Sequence, residues 1–217
     1  MKNITELVFI LDKSGSMLGQ EDDVIGSFNS TIKSHRDSEK IVLVTTVLFS
    51  NKSTIIHNRV PINKIENMKK NDYIPSGSTA LYDAVGKTIY RISNIHACTF
   101  PKRNIPKNTL FFIITDGMEN NSHMYSKSEI KRLISDYKEK GWKFIFLGAD
   151  IDAEEVGEDM NIDRMNSINF IKDSRGLNTV YQFVDDVIDA ATDDRLDDDT
   201  ICELRKSVDM DYVRRKK

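Results

Sequence analysis

An aspartate and two serines stand close together in the segment Asp12-Lys13-Ser14-Gly15-Ser16, directly after the apolar run Leu7–Leu11. Crowded oxygen atoms of this kind are the ligands that hard divalent cations prefer. The glycine lets the backbone turn sharply, because it has no Cβ to clash. Clusters of Ser, Gly and Asp are also common in ordinary loops, where they only shape a turn. The segment by itself is therefore compatible with a cation-binding loop and with a simple turn.

Two later segments supply further oxygen atoms. Gly77-Ser78-Thr79-Ala80-Leu81 precedes a helical pattern, and Thr115-Asp116-Gly117 ends another apolar run. Taken singly, each has an ordinary explanation: Thr79 is suited to capping its helix, as Ser14 and Ser16 are to capping a turn or the next helix. Asp116-Gly117 alone would be a common turn. The elements that carry these segments decide whether the side chains meet.

The hydrophobic pattern alternates between strands and helices. Apolar and β-branched runs predict strands at Leu7–Leu11, Ile41–Phe49, Thr54–Ile62, Thr109–Thr115, Trp142–Leu147 and Ser167–Phe170. Apolar residues at helical spacing predict helices over Glu21–His35, from Leu81 to beyond Ile92, from the capping box Ser126–Glu129 to about Gly141, over Ala153–Met160, and over a last segment that ends near Ala191.

This alternation predicts an α/β fold: a doubly wound, Rossmann-like, mostly parallel sheet of about six strands with helices on both faces. The short polar turn before Thr54 makes Thr54–Ile62 an antiparallel strand, and Pro61 suits an edge position. In the strand order 3-2-1-4-5-6, the strands that end at Asp12 and Asp116 are neighbours. We therefore expect both carboxylates at the crevice beyond the carboxyl ends of the strands, with Thr79 approaching from the side.

The three segments together resemble the metal-ion-dependent adhesion site of von Willebrand factor A domains, in which Asp12-x-Ser14-x-Ser16, Thr79 and Asp116 fill the ligand positions. The resemblance extends from about Leu7 to Ala191. The runs Gly141–Asp150 and Asp116–Asn120 are most similar to stand-alone bacterial and phage members of that family. Within the resemblance, residues 1–191 form the domain.

The resemblance implies a divalent cation, Mg²⁺ in the first place and Mn²⁺ or Ca²⁺ as alternatives. Ser14 and Ser16 would bind it through their hydroxyls, and Thr79 directly or through water. Asp12 and Asp116 would act mostly through water or by orienting the hydroxyls. An open coordination position would then accept an Asp or Glu of a partner protein, which makes the expected function a metal-dependent, non-enzymatic protein-binding module within an intracellular complex.

A metal-dependent phosphatase of the haloacid-dehalogenase type is the alternative function, because that class also places an aspartate after the first strand. Its chemistry needs a second aspartate two residues later as general acid. Ser14 occupies that position here, so the general acid is missing and the phosphatase is disfavoured.

Composition narrows the class of partner. The formal net charge is −3 and no basic face stands out, so nucleic acid is not expected. No apolar stretch approaches the ~18 residues of a membrane span, and two cysteines do not indicate a disulfide scaffold, so a cytoplasmic location is expected.

From Thr192 the apolar pattern fails: Asp193–Asp199 is acidic and Arg214–Lys217 is basic. Residues 192–217 are therefore predicted to form a charged, mobile tail.

Overall fold

Six strands form one sheet in the computed structural model, which describes residues 3–216 of the chain. In chain order they are β1 (Ile4–Asp12), β2 (Ile41–Phe49), β3 (Ser53–Pro61), β4 (Asn108–Thr115), β5 (Trp142–Ala149) and β6 (Ser167–Phe170). The spatial order is β3-β2-β1-β4-β5-β6, and β3 is antiparallel to β2 while all other pairs are parallel. The predicted mostly parallel, doubly wound sheet with one antiparallel edge strand is confirmed.

Seven α-helices lie within the described residues and cover both faces of the sheet. They are α1 (Glu21–Ser34), α2 (Leu81–Cys98), α3 (Lys127–Lys138), α4 (Ala153–Asp159), α5 (Ser174–Thr192), α6 (Asp198–Leu204) and α7 (Lys206–Arg215). Successive side chains of a strand point to opposite faces. In β1, Leu7 and Phe9 therefore join the core under α1 and α5, while Val8 and Ile10 join the core under α2 and α3. Two buried faces explain why the strands are continuously apolar.

The carboxyl ends of β1 and β4 lie side by side at one edge of the sheet. Their parallel register pairs Leu11 with Ile114, so the residues that follow leave the sheet at the same level. The segment after β1 turns at once into a short 3-10 helix, Gly15–Met17. The topology thus brings the first and third oxygen-rich segments to one place.

The chain after Thr192 differs from the mobile tail predicted for residues 192–217. Residues 198–204 and 206–215 form α6 and α7, and Ile201 and Val208 are 0% and 1% exposed in the core beneath α5. Leu204 packs against the same core. The apolar side chains are few, but Ile201 and Leu204 lie three residues apart on one face of α6, and Val208 follows four residues later in α7. Because apolar residues are few in this segment, their spacing does not stand out in the sequence. Lys217 lies outside the described residues.

A membrane-crossing helix would need a long apolar stretch, and none of the helices described between residues 3 and 216 has one.

Candidate metal site

Asp12 ends β1 and is held by the neighbouring strand and by its own loop. Thr115, the last residue of β4, donates its hydroxyl proton to Asp12 Oδ2 over 2.5 Å, and the Ser14 N–H donates to Asp12 Oδ1 over 2.6 Å. From behind, the Tyr73 hydroxyl donates to the backbone carbonyl of Asp12. Both carboxylate oxygens thus have a donor, which fixes the orientation of this buried side chain.

The 3-10 turn after Asp12 brings two serine hydroxyls to one side. Ser14 Oγ and Ser16 Oγ are 3.0 Å apart. Ser16 also donates its hydroxyl proton to Asp116 Oδ1 over 2.6 Å. Asp12, Ser14, Ser16 and Asp116 therefore form one connected polar group across the ends of β1 and β4.

Thr79 is brought to the same place by the loop before α2. Its backbone N–H donates to Asn120 Oδ1 over 2.9 Å, and the Gly15 N–H donates to the Gly77 carbonyl over 2.9 Å. A Cβ at Gly117 would lie 2.8 Å from Thr79 Oγ1. The Thr79 hydroxyl thus lies against the backbone that follows Asp116, and only a glycine allows that approach.

Lys172 joins the site without having been predicted from the sequence. Its ammonium lies 3.0 Å from Asp116 Oδ2 and donates to the Ser16 carbonyl over 2.9 Å. The residue follows β6, so it leaves the same edge of the sheet as Asp12 and Asp116. This position after a parallel strand is the one feature in the sequence that could have indicated it.

Other acidic residues near the site have structural contacts. Glu119 accepts the Tyr82 N–H over 2.8 Å at the start of α2, and also the N–H groups of Asn121 and Ser122. Asp152 accepts the Glu154 and Glu155 N–H groups at the start of α4. Asp152 therefore caps α4, and Glu119 anchors its loop to α2.

Burial is the largest influence on the ionisation of Asp12. It raises the pKa of Asp12 above its ordinary value, although hydrogen bonds from Thr115 and Ser14 act in the opposite direction, and the nearby Asp116 raises it further. Burial also raises the pKa of the Tyr73 phenol, which keeps that hydroxyl a neutral donor. Asp12 is 1% exposed and the Asp116 side chain is 2% exposed, and two neighbouring, poorly solvated carboxylates are a place where added positive charge is favourable.

The donor set fits a hard cation. Two oxygens bound to Mg²⁺ at ~2.1 Å and at right angles are about 3.0 Å apart, and the two serine hydroxyls have this separation. Across residues 3–216, no three His, Cys, Asp or Glu side chains gather as a metal cluster. The oxygen set here instead combines two carboxylates with serine and threonine hydroxyls, which suits Mg²⁺, Mn²⁺ or Ca²⁺.

Solved structures of von Willebrand factor A domains share this fold. The von Willebrand factor domain of the type V pili tip protein Mfa5 from Porphyromonas gingivalis matches with a TM-score of 0.64 and 10% identity, over 88% of this chain and 97% of that one. Proximal thread matrix protein 1 from the mussel byssus, with a zinc-occupied MIDAS motif, matches with a TM-score of 0.55 and 14% identity, over 85% and 45%. A von Willebrand factor type A protein from Catenulispora acidiphila matches with a TM-score of 0.55 and 10% identity, over 85% and 42%.

These identities establish the fold alone, so the chain has the von Willebrand factor A fold. It spans less than half the length of the mussel and Catenulispora proteins. No protein-family model and no curated protein matches the sequence.

Proposed function

We propose that this chain is a metal-dependent protein-binding module. Asp12, Ser14, Ser16, Thr79 and Asp116 would hold a divalent cation, Mg²⁺ in the first place, at the carboxyl edge of the sheet. The observation that carries the proposal is the pair of serine hydroxyls, 3.0 Å apart, between two carboxylates. A cation bound there would supply a positively charged coordination position that an Asp or Glu of a partner protein can fill.

Hydrogen bonds within the site orient the Ser14 and Ser16 hydroxyl oxygens for binding a cation. Ser16 directs its hydroxyl proton toward Asp116, so Ser14 is the donor in the contact between the two serines and one lone pair of Ser16 is left to face a cation. Asp12 accepts the Ser14 N–H and so fixes the backbone from which the Ser14 hydroxyl projects. The oxygens that touch the cation would then be neutral hydroxyls, while Asp12 and Asp116 would balance its charge without direct contact. The cation would therefore keep enough positive charge to attract a carboxylate of a partner.

Two of the matched structures support the proposal by their described roles. The mussel protein is named as a thread matrix protein whose MIDAS motif holds zinc. The Porphyromonas domain belongs to a pilus tip protein. A bound divalent metal and a role in protein assemblies are therefore compatible with this fold.

We also propose that the site binds rather than catalyses. A phosphatase built on this arrangement would need a general acid two residues after Asp12. Ser14 stands there, and its hydroxyl contacts Ser16.

Metal titration by calorimetry tests the cation directly. The wild type should bind Mg²⁺ or Mn²⁺ at one site, and Ser16→Ala should weaken binding by about tenfold or more, because one inner ligand is lost. Ser128→Ala is a matched control: Ser128 Oγ also lies 3.1 Å from a second serine hydroxyl, that of Ser126, but on α3. Equal affinity of Ser16→Ala and the wild type would refute the ligand set.

A pull-down from lysate tests the capture of a partner. The wild type and Asp12→Ala are each compared in Mg²⁺ and in EDTA. Proteins that are retained only by the wild type in Mg²⁺ would support the proposal. A partner that binds equally in all four arms would refute a metal-dependent contact.

A further inference from the structure

Lys172 places its positively charged ammonium against Asp116, one of the two carboxylates of the proposed metal site. Its ammonium contacts Asp116 Oδ2 at 3.0 Å and the Ser16 carbonyl at 2.9 Å. The Asp116 side chain is 2% exposed and that of Lys172 is 26% exposed. This is a largely buried ion pair rather than a solvated surface contact.

The backbone around Lys172 is held in place from both sides. Asp173 caps α5 by accepting the Gly176 N–H over 2.8 Å, and it also accepts a hydrogen bond from Arg215 near the end of α7. Gly176 packs so closely on the Ile171 carbonyl that a Cβ there would lie 2.0 Å from the carbonyl oxygen. The ammonium is therefore aimed at Asp116 by an ordered segment.

Both oxygens of Asp116 are already engaged. Oδ1 accepts the Ser16 hydroxyl and Oδ2 accepts the Lys172 ammonium. The two site carboxylates carry two formal negative charges, of which Lys172 neutralises one. A divalent cation beside Ser16 and this ammonium would repel each other in a poorly solvated place, where charges interact more strongly than in water.

We propose that Lys172 is a built-in competitor of the divalent cation. Its ammonium balances the charge of Asp116 while no metal is bound and lowers the affinity of the site for metal, so that metal binding requires Lys172 to give up Asp116. This inference rests on the function proposed above for the same residues. It adds a property of this chain, an internal cation that sets how much metal is needed to load the site.

Metal titration of Lys172→Met tests this, because methionine keeps the apolar stem and removes the charge. Lys172→Met should bind Mg²⁺ or Mn²⁺ about tenfold more tightly than the wild type, or better. Lys172→Arg retains the charge and should keep the weak affinity of the wild type. Lys138→Met is the matched control: Lys138 is 28% exposed and also contacts one carboxylate, Asp163, and one backbone carbonyl, that of Asn161, far from the site.

The outcomes separate this inference from the function on which it rests. Metal binding by Lys172→Met but not by the wild type would support competition in its strongest form. Equal affinity of Lys172→Met and the wild type, or weaker binding by Lys172→Met, would overturn competition and leave the metal site standing. No binding by the wild type or by any variant would overturn the metal site itself. Circular dichroism and thermal melting of each variant confirm that it is folded, and Lys172→Gln replaces Lys172→Met if that variant is not.

Discussion

Thr79 and Asn120 are joined by two hydrogen bonds that run in opposite directions. The Thr79 N–H donates to Asn120 Oδ1 over 2.9 Å, and the Asn120 N–H donates to the Thr79 carbonyl over 3.1 Å. One of the two bonds depends on a side chain and the other only on the backbone. The loop after β4 thus fixes the start of α2, and with it the Thr79 hydroxyl beside Gly117.

Asn120→Ala removes the side-chain bond and leaves the Thr79 N–H without that partner. We expect the affinity for Mg²⁺ or Mn²⁺ to fall several-fold, because Thr79 loses half of the contact that orients it; a hydrogen bond is worth about 1 kcal/mol. Calorimetric titration measures the change. Asn121→Ala is the control, since Asn121 contributes its backbone N–H to Glu119. Equal affinities of the two variants would show that Asn120 does not position Thr79.

The strand order and the meeting of the oxygen-rich segments were predictable from the sequence. Each strand is a continuous apolar run, as burial on both faces requires, and the carboxyl ends of parallel strands share one edge. Asp12 and Asp116 are therefore brought together by β1 and β4 although 104 residues separate them, as the Ser16–Asp116 bond at a separation of 100 residues illustrates.

The contacts of Lys172 and Asn120 were not predictable in the same way. Both are polar residues of loops, where the usual state of a side chain is solvated, and no periodicity marks either one. Lys172 reaches Asp116 only because β6 ends at the same edge and Asp173 begins α5 directly after it. Such contacts depend on three-dimensional placement of loops, which the hydrophobic pattern does not encode.

The docking of α7 is testable through two valines on the same helix. Val208 is 1% exposed and Val213 is 70% exposed. Val208→Ala should lower the free energy of unfolding by about 2 kcal/mol, because it removes buried methyl groups and leaves a cavity. Urea denaturation measures the change.

Val213→Ala is the internal control for this experiment. It makes the same chemical change in the same helix at an exposed position, so stability should stay unchanged or rise slightly through the helix propensity of alanine. Equal effects of the two substitutions would show that the segment after Thr192 does not pack on the core, as a mobile tail would not.

Glu6 is a buried carboxylate in β1 with two cationic or potentially cationic neighbours. Its side chain is 0% exposed, and it accepts from Arg59 Nε over 2.7 Å and contacts His96 Nε2 at 2.6 Å. Glu6→Ala should cost about 3 kcal/mol in unfolding free energy, because it leaves Arg59, whose side chain is only 17% exposed, without its partner. Urea denaturation provides the value.

An exposed ion pair sets the scale for that result. Glu203→Ala breaks the ion pair with Lys206, in which the Lys206 side chain is 60% exposed and the Glu203 side chain 71%. This substitution should change the free energy of unfolding by less than about 1 kcal/mol. A similar, small loss for Glu6→Ala would mean that Arg59 and His96 find water or other partners when Glu6 is absent.

Asp83, in α2, anchors the loop that precedes α3 and should make the free energy of unfolding depend on pH. Its carboxylate accepts the Met124 and Tyr125 N–H groups at 2.9 and 3.0 Å. Burial alone would raise the pKa of Asp83, but these backbone bonds, another from His123 and the charge of Lys87 lower it below the ordinary value. A carboxyl whose pKa is lower in the folded chain than in the unfolded chain stabilises the fold when ionised. That contribution is complete above the unfolded pKa of about 4, and it is lost as pH falls through the folded pKa.

Asp83→Asn isolates this contribution, because the amide oxygen can still accept hydrogen bonds but carries no charge. At pH 7 the variant should be less stable than the wild type, and the gap should shrink as the pH is lowered below about 4. Urea denaturation of both proteins across this range measures the gap. Asp136→Asn on the exposed side of α3 corrects for the loss of one surface charge. A gap between wild type and Asp83→Asn that stays constant with pH would mean that the charge of Asp83 does not hold the loop, and that hydrogen-bond acceptance by either side chain is sufficient.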